Sequence, residues 1–214
     1  FFIFLNEIIN QINWTVDTTL LGIISGTAAT AIYGVGSQIN QYYMALSTSI
    51  SGVFTPQINR IVARGEGDEQ LTKLFTRVGR IQFMLLMLVL TGFVFVGEPF
   101  ICAWGGEEYG AAYWIALLLI APVTVPLIQN IGIEIQRAKN MHQFRSKVYF
   151  CMAIGNALVS IPLGMKFGGI GCALGTAISM VVGNGFIMNW YYQTHIGLDM
   201  RYFWKHILIW RFPA

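Results

Sequence analysis

The segment Asn6-Glu7-Ile8-Ile9-Asn10-Gln11-Ile12-Asn13-Trp14-Thr15-Val16-Asp17 sets amides and two carboxylates inside an otherwise apolar run. Wound as a helix at about 100° per residue, Asn6, Asn10, Asn13 and Asp17 fall within an arc of about 60°, flanked by Glu7, Gln11 and Trp14. Leu5, Ile8, Ile9, Ile12 and Val16 take the other side. Such amides can hydrogen-bond a polar solute or a neighbouring helix, and a carboxylate among them can exchange a proton or pair with a cation. An ionised side chain at the centre of a membrane helix costs about 2.5 kcal/mol or more, so the stripe belongs against a bundle interior or a water-filled cavity. Asp17 is the first candidate for coupling and Glu7 the second. Both also read as helix-end acids near a membrane surface, and the asparagines as amides that bond helices together.

The elements that must carry this stripe follow from composition. Of 214 residues, 55% are hydrophobic and 11% charged, with a mean hydropathy of +0.59, against about 25% charged residues in soluble domains. The chain reads as an all-α integral membrane protein. Spans of about 20 residues are expected at about 1–24, 28–55, 81–96, 114–135, 148–163 and 172–192, a six-helix lobe over 1–199. Residues 200–214 read as the start of a seventh span. The chain opens at Phe1 within an apolar run and stops soon after another begins, so a piece of a longer protein is expected.

Segment 28–55 has a polar stripe of its own, with Tyr33, Ser37, Asn40, Gln41, Thr48, Ser51 and Thr55 within an arc of about 100°. Pro56 is expected to close it. Asp68 then caps a short helix, Glu69 to Arg80, whose Leu71, Leu74, Phe75 and Val78 suit the headgroup layer or an ordinary connector. Gly97-Glu98-Pro99 is expected to end the third span, and Pro122 and Pro126 to kink the fourth, beyond which Asn130, Glu134 and Arg137 share a face. Gly164, Gly168, Gly169 and Gly171 form the turn before the sixth span; no strand precedes them, so a nucleotide-binding loop is disfavoured.

Of the 13 lysines and arginines, all but Lys166 fall in the loop after segment two, the loop after segment four, or the tail. The positive-inside rule makes those regions cytoplasmic. The outer loop 97–113 has Glu98, Glu107 and Glu108 but no basic residue or histidine to bind a phosphate, which argues against an intramembrane transferase. Cys102, Cys151 and Cys172 lack partners at ligand spacing, so no metal is expected. No Walker-type sequence occurs, and neither a cofactor nor a nucleic-acid partner is expected. Membrane lipids are the evident surroundings. Glu134 and Arg137 read as an inner gate pair or as a surface pair worth under about 1 kcal/mol.

Three early stretches, Gln11 to Gly22, Ala31 to Asn40 and Ser51 to Pro56, resemble the start of the second half of bacterial polysaccharide flippases of the O-antigen type. Ile128 to Asn140 and Gly168 to Thr176 are similar to that family's tenth helix end and its turn into the twelfth. The family lies within the multidrug/oligosaccharidyl-lipid/polysaccharide exporter superfamily. The resemblance implies a two-lobe transporter, of which this chain is the second lobe, and a missing N-terminal lobe as partner. It further implies that a lipid-linked oligosaccharide, an undecaprenyl-diphosphate-linked repeat unit, passes from the cytoplasmic to the outer leaflet of the cell inner membrane by alternating access. Other glycan-assembly membrane proteins are implied partners. Asp17 matches an acid in the family motif, which implies a coupling or gating role. No lysine or arginine lies deep in these spans, so positive charge for a diphosphate falls to the missing lobe or to Arg60 and Arg137 at the inner mouth. A cation-coupled multidrug-type extruder and a membrane enzyme of glycan assembly are the alternatives.

Overall fold

A computed structural model describes residues 18–141 and 143–208. Asn6, Glu7, Asn10, Asn13 and Asp17 lie outside these residues. Every element among the described residues is helical: α1 (18–24), α2 (Gly26–Arg64), α3 (Asp68–Gly105), α4 (Ala112–Ile128), α5 (Ile131–Ala138), α6 (Gln143–Met180, continuing to Ile196) and α7 (Met200–Leu208). A 3-10 turn, Glu107–Tyr109, joins α3 to α4.

Helix α2 begins at the expected Ser25-Gly26 break, with Gly26 at φ 81. It stops at Gly65, where the Gly65 N–H bonds the Val62 carbonyl and the Glu66 N–H bonds that of Ile61, closing the exposed end of the helix. The chain then returns along α3. Tyr43 Oη donates to the Leu86 carbonyl (3.1 Å), and the Gln82 amide donates to Ser47 O (3.1 Å), Ser47 Oγ (3.0 Å) and Ser51 Oγ (2.8 Å), so α2 and α3 are antiparallel. Helix α4 comes back beside α2 in the same direction: Ser47 Oγ donates to Leu127 O (2.7 Å) and Tyr43 Oη meets Thr124 Oγ1 (2.8 Å). At Gly36 a Cβ would touch Ala112 O at 3.0 Å and Ala116 N at 3.1 Å, so glycine lets these two backbones close together.

Helices α4 and α5 meet at a bend of 44°. The bend falls at Gln129-Asn130, just beyond Pro126. Gln129 fixes it by donating to Asn189 Oδ1 (2.9 Å), which also accepts from the Trp204 indole (3.0 Å). The Asn189 amide in turn donates to the carbonyls of Asn184 (3.0 Å) and Gly185 (2.8 Å), where α6 widens into π turns over Val181–Met188.

Helix α6 is two rods. Gly168 sits at φ 58, ψ −136, a left-handed conformation that L side chains resist, and the chain reverses there. Arm 143–167 packs antiparallel on arm 169–196: Ser160 Oγ donates to Cys172 O (3.3 Å) and Tyr149 Oη to Asn184 Oδ1 (2.9 Å). A glycine turn is expected at this place from the sequence.

The core gathers at the basic end, where the Phe75 and Phe203 rings pack tilted at 34°, 4.4 Å between centroids. There Lys139 Nζ donates to the Asp68 carboxylate and to Ile196 O (2.7 Å), tying the start of α3 to the ends of α5 and α6. Among the described residues two helices, Asp68–Gly105 and Gln143–Ile196, are long and apolar enough to cross a membrane, and the bent pair α4–α5 makes a third if it is one span.

Four expectations need correction. Pro56 does not close α2 and Pro99 does not end α3; both lie inside helices. A proline costs a helix one backbone bond and a local bend, and long packed helices absorb that. Residues 69–80 are not a separate interfacial helix but the first turns of α3, with Leu71, Leu74, Phe75 and Val78 buried in the protein core. Asp68 is not the cap but the first residue of α3, after Gly67, and its carboxylate pairs with Lys139.

Candidate functional site

The polar stripe of α2 divides along its length between two environments. Ser37, Asn40, Ser47 and Ser51 turn into the protein and are buried. The serines at 47 and 51 serve the helix contacts described above. On the outer side Gly34, Gln41, Ala45, Thr48, Gly52 and Asn59 are all exposed, within an arc of about 60°. A Cβ built on Gly34 or Gly52 meets nothing within 4 Å. From Gly34 to Gly52 the face runs about 27 Å at 1.5 Å per residue. No charged residue occurs in α2 before Arg60.

Large exposed side chains on α3 and α6 are of another kind. Leu88 and Phe95 on α3 are 75% and 78% exposed, and Leu158 and Phe186 on α6 are 68% and 69% exposed. Such large apolar side chains suit acyl chains. A face of amide, hydroxyl and glycine gains nothing from lipid and offers donors and acceptors to a hydrated solute. Among the described residues, α2 therefore carries an open, uncharged polar strip beside apolar faces on α3 and α6.

Asn40 and Gln41 stand about 100° apart on the helix, and the structure treats them differently. Gln41 lies on the open strip, whereas Asn40 is 0% exposed and neither of its amide atoms has a hydrogen-bond partner. A buried amide without partners costs about 1–3 kcal/mol. Glu134 and Arg137 are joined at 3.0 Å, three residues apart on α5, and Thr55 Oγ1 approaches Glu134 Oε2 at 3.5 Å. The pair lies on one helix, and Thr55 links it to α2. Arg60 lies about 140° round α2 from Thr55, so it flanks the helix on a different side from that pair.

The sequence did not reveal the groove at the basic end. A cavity of about 410 Å3 runs along α2 beside Gln57, Arg60 and Arg64, and one of about 370 Å3 adjoins it between Gln57, Ile61, Gln70, Lys73 and Arg77. The only sequence signal was the density of basic residues on both sides of the Gly65-Gly67 turn.

Comparison with known proteins agrees with these features. The probable flippase AglR of Haloferax volcanii is 26% identical over 173 residues, which are 78% of this chain and 36% of that relative; the chain thus spans little more than a third of its length. No solved structure matches. The family described as polysaccharide biosynthesis protein matches residues 2–114, a stretch that contains α2 with its whole open strip. That match covers more than half of the sequence, and the chain belongs to the polysaccharide biosynthesis protein family.

Proposed function

We propose that this chain is one lobe of a flippase that carries lipid-linked oligosaccharide from the cytoplasmic to the outer leaflet by alternating access. Six spans, the basic loops on the cytoplasmic side of the inner membrane, and a second lobe facing α2 complete the arrangement. The observation that carries this reading is the strip Gly34, Gln41, Thr48, Gly52: uncharged, with amide and hydroxyl groups, and exposed among the described residues. A neutral sugar unit is rich in hydroxyls, so it is matched by amides and hydroxyls and needs the width that glycine leaves. Family membership supports a glycan cargo, and the likeness to a probable flippase supports transport. An extruder of cationic amphiphiles would profit from a carboxylate on that strip, and α2 supplies none from 26 to 59. Asp17 is assigned the coupling role, as the carboxylate on the preceding stripe.

The test uses the full-length protein in vesicles loaded with a lipid-linked oligosaccharide whose sugar is read from outside by a lectin. Protein-dependent, pH-sensitive appearance of the sugar is expected, with transport and its pH dependence both lost in Asp17→Asn while membrane insertion stays normal. Movement of amphipathic cations without movement of the oligosaccharide would replace the flippase by an extruder. Unchanged transport in Asp17→Asn across the pH series would remove Asp17 from coupling.

A further inference from the structure

Helix irregularities of opposite kind meet at one level of the bundle. Across the α4–α5 bend the backbone tightens. Gln129 N–H donates to Pro126 O (3.2 Å), Asn130 N–H to Leu127 O (3.2 Å), Gly132 N–H to Gln129 O (2.8 Å) and Ile133 N–H to Asn130 O (3.0 Å), each only three residues back. Beside it α6 is underwound, with π turns over Val181–Met188 and again over Tyr192–Ile196. Such departures from the α ladder in mid-helix are where a rod changes direction most cheaply.

Asn189 stands between the two π stretches and uses all of its hydrogen-bonding capacity there. Its Oδ1 accepts from Gln129 at the bend (2.9 Å) and from the Trp204 indole of α7 (3.0 Å), and its Nδ2 donates to the carbonyls of Asn184 (3.0 Å) and Gly185 (2.8 Å). An amide has two donors and two lone pairs, so none is left over. Nearby, Tyr192 bears directly on α5, where a Cβ at Gly132 would lie 2.7 Å from its Cζ and 2.8 Å from its Oη. Helix α5 has only eight residues, and Lys139 just past its end donates to the Asp68 carboxylate and to Ile196 O. Between these two ties sits Gln136, fully buried, with neither amide atom hydrogen-bonded. An unpaired buried amide weighs against the arrangement that leaves it so, and a movement of α5 that gives it a partner recovers that cost.

We propose that Asn189 is the pin of a hinge: it holds α5 in the bent arrangement, and when Gln129 leaves it α5 swings as a rod about Gln129-Asn130 while the π turns of α6 rewind. Helix α5 carries Glu134, which Thr55 of α2 approaches at 3.5 Å, so the swing changes what stands beside the end of the polar helix. Asn189 is thus a positioning residue for transport. That role rests on the transport reading above; the hinge itself does not. A fixed staple would tie the same three elements and would never need to let go.

The experiment has two arms, both on the full-length protein in a bilayer. In the first, amide hydrogen exchange is followed in nanodiscs. Gln129→Leu and Asn189→Leu should each quicken exchange about fivefold in both 129–138 and 181–196 and leave 143–160 unchanged. Trp204→Phe removes only the indole donor and should leave 129–138 as it was. Quickening confined to the substituted helix, or spread evenly over all helices, would overturn the hinge. The second arm leaves Asn189 and Gln129 intact. Asp68→Cys with Lys139→Cys, in a protein whose Cys102 and Cys151 are serine, is bridged by a short bifunctional methanethiosulfonate that fixes the far end of α5. Against the unbridged protein, oligosaccharide transport in vesicles should fall about tenfold or more and return when the bridge is reduced. Full transport by the bridged protein would make Asn189 a staple and overturn the proposal. Paired quickening of 129–138 and 181–196 in a protein that moves no lipid-linked oligosaccharide would remove the transport reading and leave the hinge standing.

Discussion

Full-length protein carrying Gly171→Val is expected to yield little or no monodisperse material in detergent. A Cβ at Gly171 falls on the Leu163 carbonyl and the Gly164 nitrogen, that is, on the backbone of the facing arm of α6. Backbone cannot rotate away as a side chain can, so the two rods must separate where Gly168 has just reversed the chain. Overpacking that side chains can absorb costs about 1–3 kcal/mol, and forcing apart main chain costs about 3 kcal/mol or more, a large share of the stability of one domain. Gly175→Val should come next, because Ser160 backbone lies at 2.9 and 3.0 Å from its Cβ position. Gly183→Ala should be milder, since it meets only the flexible Met152 side chain, and Gly155→Val should fold normally, having nothing within 4 Å. Yield by size-exclusion chromatography and unfolding temperature rank the four. Equal tolerance of Gly171→Val and Gly155→Val would contradict the hairpin.

The second large effect is on transport and leaves the fold alone. Gly52→Trp and Thr48→Trp place an indole on the open strip, where Gly52 has no neighbour within 4 Å and Thr48 is exposed. Stability should change by no more than about 0.5 kcal/mol, as for surface substitutions generally. Oligosaccharide transport by the full-length protein should fall to the level of protein-free vesicles, because the indole fills the space that the cargo needs. Leu88→Trp and Phe95→Trp, equally exposed but on the apolar faces, should transport normally. Loss of transport in all four, or in none, would separate the strip from the path.

Much of this arrangement is readable from residue order. The Ser25-Gly26 break, the bend after Pro126 and the reversal at the glycines around 168 all come from local chemistry, since backbone freedom and lost N–H donors act within one turn of helix. What is not readable is which side of a polar helix is occupied. Asn40 and Gln41 are neighbours of similar chemistry, and periodicity puts both on one broad stripe. Only the approach of α3 and α4 decides that the Asn40 side is enclosed and the Gln41 side open. The same tertiary contacts convert Ser47 and Ser51 into partners of Gln82. Proline signals misled at Pro56 and Pro99 because packing along a long helix outweighs one missing bond. Asp68 misled because its capping chemistry is also ion-pair chemistry, and Lys139, 71 residues away, is invisible to a local rule.

The central claim is that the outward strip of α2 lines a water-filled path. It is tested most directly by thiol accessibility in the full-length protein, with Cys102 and Cys151 replaced by serine and the buried Cys172 left in place. Gln41→Cys, Thr48→Cys and Gly52→Cys should react with a membrane-impermeant maleimide and be shielded by lipid-linked oligosaccharide, while Leu88→Cys, Phe95→Cys and Leu158→Cys should not react. Inert cysteines at 41, 48 and 52, or equal reaction at 88 and 95, would contradict it.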